Sequence, residues 1–365
     1  MIRWVVLGAL AVAVIAMTVS LGSYPADEAG PCPFELRTDY YTILEKNTGR
    51  ELLHTGRIPH EGDAFVNVDN RLYRIKEIEE LTALAVYEKT LSLPDFQAQA
   101  AAGPVQAGGG QPLIGIYHSH SSESYVPSDG ADSIEGEGGI LKVGESFAEA
   151  LEGQGFEVIH STTSHDPHDA GSYVRSRRTA TELRAEDPAA LFDVHRDTAP
   201  PETYRTEIDG REVAQVLLVV GTQNPRFSEN LAFAQRLQSS VEEVHPGLMR
   251  GILKSGSDFN QDLFPQSMLL EVGAHQNTRE EAEEAVALLA EGIPGALGEE
   301  GTPAPGVGRA AWRTLLWLVL AVALGGALYF YLSSGSIEEA VDKARASVDP
   351  RVWMKRLRGG PWGKE

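Results

Sequence analysis

Two uncharged apolar stretches bracket this chain and constrain its fold more than any other feature. Trp4 to Leu21 reads "WVVLGALAVAVIAMTVSL" and Thr314 to Leu332 reads "TLLWLVLAVALGGALYFYL". Each is about long enough to cross a hydrocarbon core as a helix. No small-x-small cleavage site follows the first, which favours an uncleaved anchor over a removed signal. The second has Trp312 and Trp317 near one end and Tyr329 and Tyr331 near the other, like an aromatic belt at each interface. Arg3 precedes the first stretch, and Lys343, Arg345, Arg351, Lys355, Arg356 and Arg358 follow the second. The positive-inside tendency then puts both termini in the cytoplasm and the intervening chain outside the cell membrane, with Arg309 and Arg313 as a weaker opposing pair.

What lies between must fold without disulfides, because Cys32 is the sole cysteine. That also excludes a Cys-rich zinc site. Pro31 makes "EAGPC" a poor lipidation signal, so Cys32 reads as an incidental thiol. The formal net charge is -21. A duplex nucleic-acid partner is therefore not expected, since phosphate binding needs clustered Lys and Arg. A solvated acidic surface is the plain account of the surplus acid.

Composition shifts divide the chain. Residues 1–22 form the N-terminal segment. Residues 33–90 alternate strand-like runs such as "AFVNV" and "LYRI" with Gly, Asn and Asp turns, which predicts a small, mostly β domain. Residues 91–112 are rich in Ala, Gly, Gln and Pro, a linker composition. Residues 113–295 alternate strands and helices. "LIGIY", "FEVIH", "ALFDVH", "QVLLVV" and "SMLLEV" read as strands, and "VGESFAEALEGQ" and "SENLAFAQRLQSSVEEV" as helices. A last helix opens with a capping box at Thr278 and Glu281 and shows an apolar face of Ala282, Ala285, Val286 and Leu289. The expected fold class is α/β, an open sheet with helices on both faces. Residues 296–311 form a second linker, 312–332 the C-terminal membrane helix, and 333–365 a cytoplasmic tail.

Open α/β sheets gather ligands at the carboxyl ends of their strands. The polar residues just past the apolar runs are His118, His120, His195 and Glu271, with Glu135 in the Gly-rich "SIEGEGGI" loop. A hydrolytic zinc site needs these residue types: two imidazoles and a carboxylate on the metal, and a second carboxylate as base. For any one of these histidines, a structural or merely exposed role is the plainer alternative. It is their joint position at strand ends that argues for a site. Pattern alone does not choose between amide, ester and phosphate substrates.

In order along the chain, "IYHSHSSESY", "KVGESFAEALEGQGFEVIHSTTSHD", "GSYVRSRRT", "DVHRD", "VVGTQNP", "ENLAFAQRLQ", "FNQDL" and "LLEVGAHQNTREEA" lie within residues 113–293. Together they resemble the stage II sporulation protein P family, and "GDAFVNVDNRLYRI" more loosely resembles its N-terminal region. The resemblance implies a zinc-dependent peptidoglycan hydrolase related to the N-acetylmuramoyl-L-alanine amidases, with endopeptidase activity on cross-links as well. It implies Zn²⁺ on His120, Glu135 and His195, with His118 the alternative to His120 and Glu137 to Glu135, and Glu271 as catalytic base. His120 to Glu135 is 15 residues, the spacing of the wider amidase pattern. Glu123 is expected to orient an imidazole or to be structural. Arg175, Arg178 and Arg196 are candidate binders of stem-peptide carboxylates, with plain surface arginine the alternative for each. Engulfment during sporulation is the implied process, beside stage II sporulation proteins D and M at the membrane. A wall-binding module without catalysis and a surface deacetylase are the competing functions. The C-terminal membrane segment and the strongly acidic charge depart from what the resemblance implies.

Overall fold

The computed structural model describes residues 34–91 and 111–298. Both apolar stretches, the tail and most of the two linkers lie outside the described residues. Among the described residues, no helix is long and apolar enough to cross a membrane.

Thirteen strands and four long helices are described. The first five strands are β1 (Tyr41–Glu45), β2 (Glu51–Thr55), β3 (Ala64–Val66), β4 (Arg71–Glu79) and β5 (Thr82–Thr90). Then come β6 (Leu113–Tyr117), a single helical turn at Val126–Asp129, α1 (Ile140–Gly153), β7 (Glu157–His160), α2 (Ser172–Ala185) and β8 (Ala190–Asp197). A hairpin of β9 (Arg205–Ile208) and β10 (Arg211–Ala214) precedes β11 (Val216–Gly221), α3 (Phe227–Val244), β12 (Met249–Ser255), β13 (Ser267–Ala274) and α4 (Arg279–Leu297).

Eleven strands form one sheet, in the order β2-β1-β5-β4-β3-β12-β11-β13-β8-β6-β7. The small β region thus shares a sheet with the α/β region, through the antiparallel pairing of β3 with β12. At that seam Gly251 takes φ 139, and a Cβ there would sit 2.5 Å from the Val66 carbonyl oxygen. Only glycine accepts both that φ and so close a backbone.

Strand alternation sends the core to both faces. Ile116, Phe192, Val194, Leu218 and Leu270 pack with Phe147 of α1, Leu237 of α3 and Val286 of α4 on one side. On the other side Leu217, Val219, Leu253 and Leu269 join Ile43, Phe65, Tyr73 and Ile75 of the β region, together with Tyr173 of α2. Tyr117 and Leu191 meet Ala180 and Leu183 of α2 on the same side. Helices therefore cover both faces, three against one. The capping box of α4 is formed by Thr278 and Glu281, and Ala282, Ala285, Val286 and Leu289 are buried. The sheet is mixed rather than parallel. β6, β8 and β13 run together, while β11 runs against β13.

Candidate metal centre

The carboxyl ends of β6, β8 and β13 lie at one end of the sheet, so the polar residues that follow them converge. β8 and β13 pair Glu271 with His195. The register then slips by one residue before Ala274, and Gly273 turns through a positive φ of 67°. Such a bulge bends the strand just past Glu271.

After β6 the chain is tied to β8. Ser119 donates its backbone N–H and hydroxyl to Asp193, at 2.8 and 2.6 Å. His120 and Glu123 follow, both buried. Glu123 lies 3.2 Å from His120 Nδ1 and 3.4 Å from His195 Nδ1, and accepts the Arg196 backbone N–H at 3.0 Å. His195 Nε2 is 2.9 Å from Asp193. His168, before α2, stacks on His120 with ring centroids 3.8 Å apart. Glu35 enters from the segment ahead of β1. It lies 3.2 Å from His120 Nδ1 and pairs closely with His168.

Among the described residues, Glu35, His120, Glu123 and His168 thus form a buried group whose ligand atoms all lie within 4.8 Å of one another. Two imidazoles and two carboxylates are a donor set that suits Zn²⁺. Their protonation suits it too. Burial pushes Glu35 and Glu123 up, but their cationic neighbours outweigh it and hold both carboxyls well below the usual range. Burial, helped by His120, pushes the His168 imidazole down, against the pull of Glu35. His168 turns its Nε2 to Glu35, and its Nδ1 is buried without a hydrogen-bond partner.

Beside this group stands Glu271. Burial is the largest influence and pushes it up, Arg57 opposes, and its pKa settles at about 7. That is the range of a general base at neutral pH. Its Oε1 accepts from Arg57 Nε at 2.5 Å, while Oε2 is buried without a partner.

The expected site residues are placed as follows. His120, His195 and Glu271 come together. Glu135 does not join them. It is exposed, as is Glu137, and Glu123 is the carboxylate between the imidazoles. The reason is a short antiparallel closure: Glu123 bridges Ser133, and Ile134 donates its N–H to the Ser122 carbonyl at 2.8 Å. The loop folds back on itself, Glu123 ends inside and Glu135 beyond the closure. His195 touches Glu123 but has Asp193 on its other nitrogen, and its pKa rises to about 9 because those carboxylates outweigh burial. His118 accepts a different role. It reaches the Val194 carbonyl and His160, each at 2.9 Å, and burial pushes its pKa down to about 3. Arg175 holds the His165 carbonyl and Asp169, Arg196 the carbonyls of Ser124 and Asp132, and Arg178 lies exposed near Glu182.

Sequence reasoning missed Glu35, Arg57 and His168. His168 lies eight residues past β7, which ends at His160, so the rule that found the other histidines does not reach it. Nothing in the local sequence marks Glu35 or Arg57.

The model of the stage II sporulation protein P family matches residues 46–294. The stage II sporulation protein P of Bacillus subtilis (strain 168) is 30% identical over 231 residues, covering 58% of this chain and 57% of that relative. The chain thus spans a little over half the length of the curated relative it matches. Among solved structures, the N-acetylmuramyl-L-alanine amidase Ami1 of Mycobacterium smegmatis is 17% identical, with a TM-score of 0.36 over 53% of this chain and 100% of that one. The CwlD amidase of Clostridioides difficile, solved with the GerS lipoprotein, is 13% identical, with a TM-score of 0.37 over 51% and 98%.

Proposed function

The chain belongs to the stage II sporulation protein P family, and from that premise we propose that it is a metal-dependent peptidoglycan hydrolase of sporulation. The bond cut is the amide between N-acetylmuramic acid and L-alanine, with peptide cross-links as a second target. One observation carries this reading: four buried donors suited to Zn²⁺ lie beside a buried carboxylate poised near neutrality, and Arg57 touches both Glu35 and Glu271.

Glu35, His120, Glu123 and His168 supply the donors, of which three would hold a catalytic ion and leave a position for water. A bound Zn²⁺ would polarise the scissile carbonyl and make a water more acidic. Glu271 takes the proton of the attacking water at its unpartnered Oε2, then returns it to the leaving amine. His195 holds Glu123 in place, and Asp193 fixes the orientation of that imidazole. Trp4–Leu21 and Thr314–Leu332 anchor the enzyme, with its catalytic region outside the membrane and beside stage II sporulation proteins D and M. Tethering confines a wall-cutting activity to the membrane surface.

The test is a digest of purified peptidoglycan by the full chain in detergent, with and without a zinc chelator, read by mass spectrometry. Chelator-sensitive release of intact stem peptides is the expected result. Acetate as the sole product would replace this reading by a deacetylase. No product from protein that holds zinc, with the D partner added, would replace it by a wall-binding module.

A further inference from the structure

Arg57 is a side chain that neither the sequence pattern nor the proposed chemistry calls for. It sits just past β2, in the β region, with 1% of its surface exposed. A buried guanidinium is costly unless its neighbours repay it. Here they are specific. Nε donates to Glu271 Oε1 at 2.5 Å, and Nη1 donates to the Tyr173 hydroxyl at 3.0 Å and lies 3.1 Å from Glu35 Oε2. The Phe259 ring lies 5.6 Å from its guanidinium carbon. An antiparallel bridge between Glu35 and Arg57 fixes the two backbones against each other.

Two features separate this arrangement from an ordinary buried ion pair. The fork is only half used: Nη2 of Arg57 and Oε2 of Glu271 are both buried without partners. A pair built for stability would close as two parallel bonds. Arg57 instead grips one carboxylate oxygen and leaves the other for a water. Second, the same guanidinium spans the base and a donor of the metal group, so it sets their separation.

We propose that Arg57 is a positioning residue for the hydrolysis: it aims Glu271 and fixes that carboxylate's distance from the metal donors. The small β region is then part of the catalytic machinery, supplying the residue that aligns the base. This inference rests on the hydrolase reading above. A base misplaced by about 1 Å costs on the order of 100-fold in rate.

The experiment compares full-length wild type with Arg57→Lys, Arg57→Ala, Glu271→Gln and the double variant R57A/E271Q. Zinc content, the thermal midpoint, kcat and KM on purified peptidoglycan are read for each. For Arg57→Ala, kcat falls about 100-fold with KM within about twofold and zinc content unchanged. Millimolar methylguanidinium restores at least about tenfold of that loss, which no purely structural role would allow. In the Glu271→Gln background the Arg57→Ala change costs nothing further, because Arg57 acts through Glu271. If the Ala variant does not fold, the Lys variant decides: it holds zinc and melts near wild type, yet has lowered kcat, since a point charge cannot aim a carboxylate as the fork does. Wild-type kcat in a folded Arg57→Ala or Arg57→Lys protein overturns the inference and leaves the hydrolase reading intact. Losses that multiply in the double variant, with no rescue, overturn it as well. A zinc-loaded wild type that releases nothing even with the D partner added refutes the hydrolase reading, and this inference falls with it.

Discussion

Glu123→Gln and Glu135→Gln, compared side by side, test which carboxylate serves the metal centre. Glu123 is fully buried, within 3.2 Å of His120 Nδ1 and 3.4 Å of His195 Nδ1, and accepts the Arg196 N–H at 3.0 Å. Glutamine keeps the shape and can still accept that N–H. What it loses is the charge. An interaction with a charged group contributes about 1.5–3 kcal/mol net. Near the top of that range, on the order of 3 kcal/mol, the loss is about 100-fold in zinc affinity at about 1.4 kcal/mol per decade. Glu135 is exposed, and its neutralisation should change affinity by less than about twofold. Competition for zinc against a chromophoric chelator reads both. A 100-fold loss in Glu135→Gln with wild-type affinity in Glu123→Gln would refute the assignment and restore the donor set of His120, Glu135 and His195.

Other outcomes follow from the same geometry. In the metal-free protein, the raised His195 pKa contributes stability that is complete below its ordinary 6.5 and lost as pH rises through about 9. Glu271 loses its share lower, between 4.5 and about 7, so a decline in urea midpoint between pH 7 and 9 belongs to His195 and should vanish in His195→Gln. Gly251→Ala places a Cβ 2.5 Å from the Val66 carbonyl oxygen at φ 139, and should cost about 1–3 kcal/mol in urea unfolding. A wild-type midpoint there would show the seam to be soft. Thr278→Ala removes the hydroxyl that accepts from the Glu281 N–H, and should lower stability by about 1 kcal/mol by the same assay.

The sequence was most legible where short-range pattern decides structure. The strand runs from "LIGIY" to "SMLLEV", the capping box at Thr278 and the apolar face of α4 depend on neighbours within a few residues. The motif series through residues 113–293 was enough to name a family whose model matches 46–294. The site was legible in part. His120, His195 and Glu271 sit where strands end, and strand ends can be read. That Glu123 and not Glu135 lies buried between the imidazoles could not be read from spacing, because the bridge from Glu123 to Ser133 reverses the loop and exchanges inside for outside. Glu35 and Arg57 were invisible for a different reason. They reach the site through contacts between residues far apart in the chain, such as the pairing of β3 with β12 and the hydrogen bond from the Gly56 N–H to Asp197. The same pairing joins the β region to the α/β region in one sheet, where composition alone had suggested a separate unit behind a linker.

That pairing also orders events during synthesis. Val66 leaves the ribosome long before Ile252, the residue it will face. Until β12 arrives, β3 lacks its partner in the sheet, and Glu271 on β13 has still to follow. Long-range pairings of this kind form late. A nascent chain that ends before β12 therefore carries Glu35, Arg57, His120, Glu123 and His168, but neither the strand that β3 pairs with nor Glu271 on β13. The buried group and Glu271 can meet only after β13 has been made, so the candidate site is among the last parts of the described fold to be completed.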